Sequence, residues 1–116
     1  MKHTISIKYN HVFQRLYRRG RSAAAPCLAL YVRGNGQRGN RLGLTVSTRV
    51  GTAVVRNRVR RRLREIYRAH EGALKQGMDL VVVARVRAAH SRYGRLEEDF
   101  CTLCRRLELF RREEQG

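Results

Sequence analysis

The chain has 116 residues, a length that suits one domain with a buried core. Its 26 Lys and Arg against 9 Asp and Glu give a net charge of +17, and its 42% of hydrophobic residues exclude a disordered basic tail. No apolar run reaches the roughly 20 residues of a transmembrane helix, and the N-terminus lacks the apolar segment of a signal peptide. The odd count of 3 cysteines argues against a disulfide framework. We expect a single cytoplasmic domain over residues 1–116 that binds a polyanion and no membrane, with short flexible termini at about residues 1–6 and 111–116.

A short amphipathic helix is predicted near the N-terminus. Val12 and Leu16 lie four residues apart, which is the spacing of one face of a helix. Asn10 is a favoured N-cap residue, and Gly20 suits the left-handed conformation that ends many helices. The pattern predicts a helix over residues 11–19.

Two half-buried strands are predicted next, after a short strand at residues 22–24. Apolar residues alternate with small or polar ones over residues 27–32 and again over residues 42–46. The segment between these strands, residues 34–40, is rich in Gly and Asn. Such residues favour tight turns, so this segment is predicted to be a hairpin loop.

An arginine-rich helix is the most informative predicted element. Its buried stripe recurs at helical spacing, on Val55, Val59, Leu63 and Ile66. Seven arginines share the segment: Arg56, Arg58, Arg60, Arg61, Arg62, Arg64 and Arg68. Thr52 suits the N-cap, and the helix is predicted to end near residues 70–72. Because like charges three and four residues apart repel each other on a helix, we expect this helix to meet a polyanion.

A central strand and a closing helix complete the predicted fold. Residues 80–86 form a nearly unbroken apolar run rich in valine, which is typical of a strand covered on both faces. The helix that follows has its buried stripe on Leu96, Phe100, Leu103 and Leu107. This order of elements predicts an α+β sandwich in which helices pack against one small sheet.

Several segments resemble the bacterial ribonuclease P protein family. Residues 53–64, Ala-Val-Val-Arg-Asn-Arg-Val-Arg-Arg-Arg-Leu-Arg, are similar to its signature, an alanine and an Arg-Asn-Arg core with further basic residues on one helix. Other similar segments follow in the family's order, at residues 13–17, 29–31, 41–47, 50–51 and 81–85. The resemblance extends from about Ile7 to Leu107.

The resemblance implies a particular fold and role. The family fold is an α-β-β-β-α-β-α sandwich with a small mixed sheet of about four strands. Its βαβ crossover is left-handed, although about 98% of such crossovers are right-handed. In that family an RNA subunit removes the 5′ leader of precursor tRNA, using Mg²⁺ held mainly by the RNA, and the protein binds that RNA and the leader. The resemblance implies a subunit with no catalytic residue, no cofactor of its own and no obligate protein partner.

The arginine helix is the predicted contact for the catalytic RNA. The planar fork of arginine donates two hydrogen bonds to a phosphate and also stacks on bases. The predicted contact residues are Arg56, Asn57, Arg58, Arg60, Arg61, Arg64 and Arg68. Arg56 and Arg58 point about 200° apart around the helix, so a bracing role against the sheet stays open for one of them. The alternative for the whole face is a solvated charge run.

A leader-binding groove is the second site that the resemblance implies. The family places it at the positions of Phe13, Tyr17 and Tyr31, where single-stranded bases stack on rings beside basic residues. Arg49 is the basic residue of the adjoining turn, although many members carry paired lysines at the positions of Thr48 and Arg49. For Phe13 a core position and a groove position both stay open.

The sequence pattern favours a protein without its own catalytic or metal centre. Six of the 9 acids lie in the last helix and tail, at Glu97, Glu98, Asp99, Glu108, Glu113 and Glu114. This distribution does not suggest a pocket for two magnesium ions. Cys101 and Cys104 have the C-x-x-C spacing without a second ligand pair, so helix packing is favoured over a metal or redox role.

Two other classes of protein share part of this pattern. A structural ribosomal-type RNA-binding protein would have the same charge and size without a role in tRNA processing. A DNA-binding protein would place the arginine helix in a major groove, although base readout favours mixed polar side chains over arginines alone. The order of the motifs favours the ribonuclease P family over both.

Overall fold

The computed structural model describes residues 4–111, which form five strands and three helices. In chain order these are β1 (Thr4–Ser6), α1 (Asn10–Arg19), β2 (Arg21–Ala24), β3 (Leu28–Gly34), β4 (Asn40–Thr45), α2 (Ala53–His70), β5 (Met78–Ala84) and α3 (Tyr93–Arg106). Short 3-10 turns occur at Thr48–Val50, Glu71–Ala73 and Val86–His90.

The strands form one mixed sheet in the order β1-β4-β5-β3-β2. β1, β4 and β5 are parallel, whereas β3 pairs antiparallel with both β5 and β2. β5 is therefore a central strand although it is the last strand in the chain. This position fits its run of valines, because a central strand is shielded on both faces.

Adjacent residues of β5 point into two hydrophobic layers on opposite faces of the sheet. Leu80 and Val82 belong to the main core, which α2 and α3 cover. Val81 points the other way and packs with Val12 and Leu16 of α1. The sheet therefore lies between α1 on one side and the arginine helix α2 with α3 on the other.

The predicted arginine helix and closing helix are confirmed. The predicted stripe residues of both helices lie in the main core, with Val55 partly exposed. The Thr52 hydroxyl accepts a hydrogen bond from the Val55 N–H, as expected of an N-cap, and α2 ends at His70. The predicted central strand is confirmed as β5, except that Val86 lies beyond it in a 3-10 turn.

The predicted α+β sandwich is confirmed, with five strands instead of about four. The additional strand, β1, lies in the segment predicted to be a flexible terminus, residues 1–6, and that prediction is wrong for Thr4–Ser6. The strand pairs with β4, with Thr4 opposite Asn40. Three residues are too few to show a period of two, so the sequence pattern did not reveal this strand. Residues 1–3 and 112–116 of the predicted termini lie outside the described residues.

The hairpin predicted for residues 34–40 is wrong, because β5 lies between β3 and β4. The loop instead passes over the start of β5. The Asn35 N–H donates to the Gly77 carbonyl (2.9 Å), and the Asn35 side chain donates to the Gly39 carbonyl and to Asp79 (both 3.1 Å). The Gly and Asn residues do form a turn, but it joins strands that a third strand separates.

Both predicted ends of α1 also differ. Asn10 is the first helical residue, and Tyr9 occupies the N-cap without a side-chain hydrogen bond. Gly20 is extended, with φ −75° and ψ 156°, and is not left-handed. A Cβ at Gly20 would lie 2.6 Å from the Leu16 carbonyl oxygen and 3.0 Å from that of Val32. Glycine is therefore required here by the close approach of the end of α1 to β3.

A buried polar network joins β1 to the C-terminal end of α2. The Tyr67 hydroxyl lies 2.8 Å from Thr4 Oγ1 and accepts a hydrogen bond from Asn40 Nδ2 (3.2 Å). Thr4 Oγ1 also bonds the Glu71 carboxylate, and Asn40 Oδ1 accepts the Met78 N–H (2.9 Å). Burial raises the pKa of Tyr67, which keeps the phenol neutral. The network fixes the position of α2 over the parallel strands.

The parallel strands β4 and β5 are connected through α2, which is the βαβ unit that the resemblance implies. Its left-handed crossover stays a prediction. Across residues 4–111, each helix is too short or too polar to cross a lipid bilayer.

Candidate RNA-binding surfaces

The polar face of α2 is exposed along most of the helix. Asn57, Arg61, Arg64 and Arg68 are all exposed, because the buried stripe on the opposite side of α2 is packed into the main core. Glu65 is the only acid in the sequence of α2, and Arg61 lies 3.8 Å from it in a pair of exposed side chains. Exposed pairs of this kind stabilise little, so the face keeps its positive charge.

Other arginines of α2 bind neighbouring backbone. Arg58 Nη2 donates to the Ala89 carbonyl (3.4 Å), and Arg62 Nη1 donates to the Ser91 carbonyl (3.3 Å). Both carbonyls lie in the segment that connects β5 to α3. Arg56 Nε donates to the Gly51 carbonyl (3.2 Å), just before its own helix. Of the two arginines that point apart, Arg58 is therefore the one that links α2 to another element. Arg62 has the same role, which the sequence pattern did not distinguish.

Arg60 and Arg64 reach the edge of the sheet. Together with Phe13, Gly43 and Leu44 they line a cavity of about 180 Å³. β1 pairs with β4 only as far as its residue 42, so this part of β4 has an open edge. The structure thus brings two arginines of the predicted catalytic-RNA contact next to an aromatic residue of the predicted groove.

Tyr17 and Tyr31 meet on the α1 side of the sheet. Their ring centroids are 5.0 Å apart, with an interplanar angle of 80°. The Tyr17 hydroxyl lies 2.9 Å from Thr45 Oγ1 on β4. Tyr17 is exposed, whereas Tyr31 is partly buried beside the small cluster that contains Val81. The two rings are therefore held in place by each other and by the sheet.

Phe13 lies directly over Gly43. A Cβ added at Gly43 would lie 2.6 Å from Phe13 Cε1, so only glycine permits the ring to come this close. The ring is partly buried and packs against the cluster of Leu16 and Val81. It also lines the cavity described above. Phe13 therefore has both a packing contact and a face toward the candidate site.

Arg49 lies exposed in the 3-10 turn that follows β4. β4 also carries Thr45, whose hydroxyl holds the Tyr17 ring. The fold thus places a basic side chain beyond the end of the strand that borders the aromatic pair. This arrangement is compatible with the predicted groove, and a contact between Arg49 and a leader phosphate stays a prediction.

The charge of the chain is divided unevenly along the sequence. Residues 1–64 contain 16 Lys and Arg and no Asp or Glu. This part of the chain supplies α1, β3, β4 and most of the basic face of α2, so both candidate surfaces are predominantly positive. Because of this asymmetry, Arg15 and Arg18, which are exposed on α1, are also candidate RNA contacts. They were not among the contacts predicted from the sequence.

The acids near these elements have partners within the protein. Asp79 accepts hydrogen bonds from Arg41 Nε and Nη2 (2.7 and 2.6 Å), which raise the pKa of Arg41 further. Asp99 accepts the Cys27 N–H (2.9 Å). Over residues 4–111, His, Cys, Asp and Glu side chains do not come together in any group of three that would hold a metal ion.

Cys101 and Cys104 contribute to packing along α3. Cys104 is fully buried, and burial raises the pKa of its thiol to about 12. Burial also raises the pKa of Cys101, whose sulfur lies 3.5 Å from His70 Nε2. Metal binding and disulfide exchange both require the thiolate, so these shifts favour packing over a metal or redox role.

Comparisons with known proteins agree over nearly the whole chain. The family model described as Ribonuclease P matches residues 1–108. A protein named ribonuclease P protein component from Natranaerobius thermophilus is 37% identical over 112 residues, which is 97% of each chain. The RNase P protein structure from Staphylococcus aureus has a TM-score of 0.84 and 30% identity over 91% of this chain and 97% of its own. The one from Thermotoga maritima has a TM-score of 0.79 and 27% identity over 87% and 96%. The chain belongs to the ribonuclease P family of protein components.

Proposed function

We propose that this chain is the protein subunit of a ribonuclease P ribonucleoprotein in the cytoplasm. In that role it binds a catalytic RNA and the 5′ leader of precursor tRNA, and it promotes removal of the leader. The observation that carries the proposal is the exposed polar face of α2, which is predominantly positive and bears Asn57 of the family signature.

The catalytic RNA contacts the exposed face of α2. The proposed contact residues are Arg56, Asn57, Arg60, Arg61, Arg64 and Arg68. Arg58 is left out of this set because its guanidinium reaches the Ala89 carbonyl in the segment before α3, whereas Arg56 donates through Nε to the Gly51 carbonyl beside its own helix. Arginine suits a structured RNA because it binds phosphate through two hydrogen bonds and stays charged at any physiological pH.

The leader lies across the α1 side of the sheet, beside Phe13, Tyr17 and Tyr31. A single strand exposes its bases, and aromatic rings stack on bases of any sequence. The Tyr17–Tyr31 pair and the ring of Phe13 are fixed by Thr45 and Gly43, so little entropy is lost when a base stacks on them. Arg49 then supplies a charge for a leader phosphate.

The chemistry belongs to the RNA subunit in this proposal. Mg²⁺ ions would be held mainly by that RNA, and this chain would lower the Mg²⁺ concentration required by placing positive charge near the phosphates. The acids Asp79 and Asp99 are engaged by Arg41 and by the Cys27 N–H, which supports a non-catalytic role for the protein.

Cleavage of precursor tRNA by a cognate catalytic RNA, at low Mg²⁺ and with or without this protein, tests the proposal. We expect the protein to restore cleavage at a Mg²⁺ concentration at which the RNA alone is inactive. Protein without RNA should not cleave. A matched ribosomal RNA fragment and a DNA duplex serve as competitors.

Each competitor excludes one alternative. If ribosomal RNA displaces the catalytic RNA at equal concentration and cleavage is not stimulated, the chain is a general structural RNA-binding protein. Equal competition by duplex DNA would instead indicate binding to phosphates without selection for an RNA fold.

A further inference from the structure

The outer surface of α1 is a third polar face. At about 100° per residue, Val12 and Leu16 face the sheet, and Phe13 and Tyr17 lie on the side next to the groove. The remaining six residues line an open depression of about 500 Å³ along the helix: Asn10, His11, Gln14, Arg15, Arg18 and Arg19. All six are exposed.

The positive charge of this face has no acidic partner among residues 4–111, where none of the ion pairs involves Arg15, Arg18 or Arg19. Residues 1–64 contain no acid, so neither α1 nor the segments that flank it supply one. On the sheet face that α1 covers, β5 carries Asp79, whose two oxygens bind Arg41 at 2.6 and 2.7 Å. Arg15 and Arg18 are therefore available to an external anion.

An exposed aromatic stack lies at the start of the same helix. The ring of Tyr9 is stacked on that of His11, with centroids 5.6 Å apart and an interplanar angle of 25°. Tyr9 is 63% exposed, so much of its ring surface is open to an external partner. Basic residues beside an exposed ring are the combination that binds single-stranded nucleic acid, because phosphates and bases are both engaged.

We propose that this α1 ledge, formed by Tyr9, His11, Gln14, Arg15 and Arg18, binds the part of the leader upstream of the nucleotides in the groove. The inference rests on the proposed function and extends its substrate contact. Around α1 the groove residues Phe13 and Tyr17 are followed first by Gln14 and Arg18 and then by His11 and Arg15. A strand that leaves the groove over α1 meets the ledge next.

The leader fits the ledge better than the catalytic RNA does. A folded RNA presents mainly stacked, paired bases, whereas Tyr9 offers a surface for an unpaired base. α2 and α1 pack on opposite faces of the sheet, and Arg60 and Arg64 of α2 reach the Phe13 side of α1, not the ledge. The ledge is about 15 Å long, which suits a few nucleotides of a flexible strand.

Two ledge variants test the inference in the reconstituted holoenzyme: Tyr9→Ala and the double variant Arg15→Ala/Arg18→Ala. Affinity is measured for precursors that have a leader of about 5 or about 20 nucleotides. We expect each variant to weaken binding of the long-leader precursor at least about five-fold and to leave the short-leader precursor unchanged. The double variant should also reduce the salt slope for the long leader by about 1 to 2.

The control is Lys75→Ala/Arg105→Ala, which removes the same charge from exposed positions on the α2–α3 side. It should not discriminate between leader lengths. Thermal unfolding verifies that all variants are folded. In parallel, 4-thiouridine at upstream leader positions should crosslink to α1 in the unmodified protein.

Two outcomes would overturn the inference. Equal weakening of both precursors would mean that the ledge contacts the catalytic RNA or the tRNA body, and no weakening in a folded variant would mean that the face is only solvated. In both cases the unmodified protein would still stimulate cleavage of the short-leader precursor. Failure of the ledge is therefore distinct from failure of the proposed function.

Discussion

Gly43 is the residue on which the position of Phe13 depends. The Phe13 ring occupies the space where any other residue would place its Cβ, and Val81 lies on the other side of that space at 3.3 Å. Neither neighbour has room to retreat without losing packing contacts in the α1 cluster. Adding a single methyl group at residue 43 therefore tests how closely Phe13 and Val81 pack against this position.

We expect Gly43→Ala to lower the free energy of unfolding by about 1–3 kcal/mol, because the added methyl group overpacks the site. Shortening the ring should relieve the clash, so Phe13→Leu/Gly43→Ala should be more stable than the sum of the single effects implies. Urea unfolding of the three variants measures this coupling. Strict additivity would show that the ring and the glycine do not oppose each other in solution.

A substitution at Tyr31 distinguishes between a ring that binds the leader and a ring that only packs within the protein. If a leader base stacks on its ring, Tyr31→Ala should weaken binding of leader-bearing precursors by about 1–3 kcal/mol and leave mature tRNA unchanged. Holoenzyme affinities for both RNAs, at saturating protein, measure this difference. Because Tyr31 also supports Tyr17, Tyr31→Phe is the control that keeps the ring pair. Equal losses for both RNAs would assign Tyr31 to packing.

Some residue roles were predictable from the sequence, and others were not. Thr52 was predictable, because capping depends on local spacing alone. Gly20 was recognised as special for the wrong reason, since a Cβ there would meet the Leu16 carbonyl and also the Val32 carbonyl of β3, which is distant in sequence. The bonds from Asn40 to Tyr67 and Met78 were not predictable, because they depend on how the strands are arranged.

At the scale of the element, some arginines of α2 are proposed to bind RNA, and others bind backbone carbonyls of the protein. Replacing Arg61 and Arg64 with Ala should reduce the slope of log affinity against log salt by up to about 2, because each exposed arginine can release one phosphate counterion. The free energy of unfolding should change little, since both side chains are exposed. Filter binding of the catalytic RNA across a salt series gives the slope.

Arg58→Ala/Arg62→Ala is the matched control on the same helix. It removes the same charge but breaks the bonds to the Ala89 and Ser91 carbonyls, so it should lower stability by about 1–3 kcal/mol. Its effect on the salt slope should be smaller. If the two pairs behaved alike in both measurements, the division of roles along α2 would be wrong.

The elements themselves were mostly predictable, whereas their order in the sheet was not. The apolar stripes of α2 and α3 are long, and each further apolar residue at helical spacing strengthens the prediction of a helix. The hairpin between β3 and β4 was predicted from the Gly and Asn residues of segment 34–40, which favour a turn but do not determine which strands pair. Here β5 is inserted, because its apolar run Leu80–Ala84 is stable only between two strands and two layers of helices.

At the scale of the whole molecule, buried groups with raised pKa values link stability to alkaline pH. The Cys104 thiol ionises near 9 when solvated and at about 12 in the fold, and burial raises the pKa of Tyr67 as well. The unfolded chain therefore loses protons first. The contribution of these two groups to stability should be constant below pH 9 and fall above it, with a slope of about 1.4 kcal/mol per pH unit for each proton.

Urea unfolding between pH 8 and 11 measures this slope. Cys104→Ala should be less stable at every pH, because it leaves a cavity, but its stability should fall less steeply as the pH rises. An unchanged slope would mean that the thiol is not responsible for the pH dependence.

The place of β5 also has a consequence for the order of events during synthesis. A ribosome releases the chain from its N-terminus, so β3 and β4 emerge before the strand that must lie between them. Until residue 84 is available, the two halves of the sheet have no hydrogen-bonded connection. During that time a strongly basic segment, with no acid before Glu65, stays unfolded. We expect a fragment of residues 1–77 to show no cooperative unfolding transition. The nascent protein would therefore meet RNA as an extended polycation before it presents a folded surface.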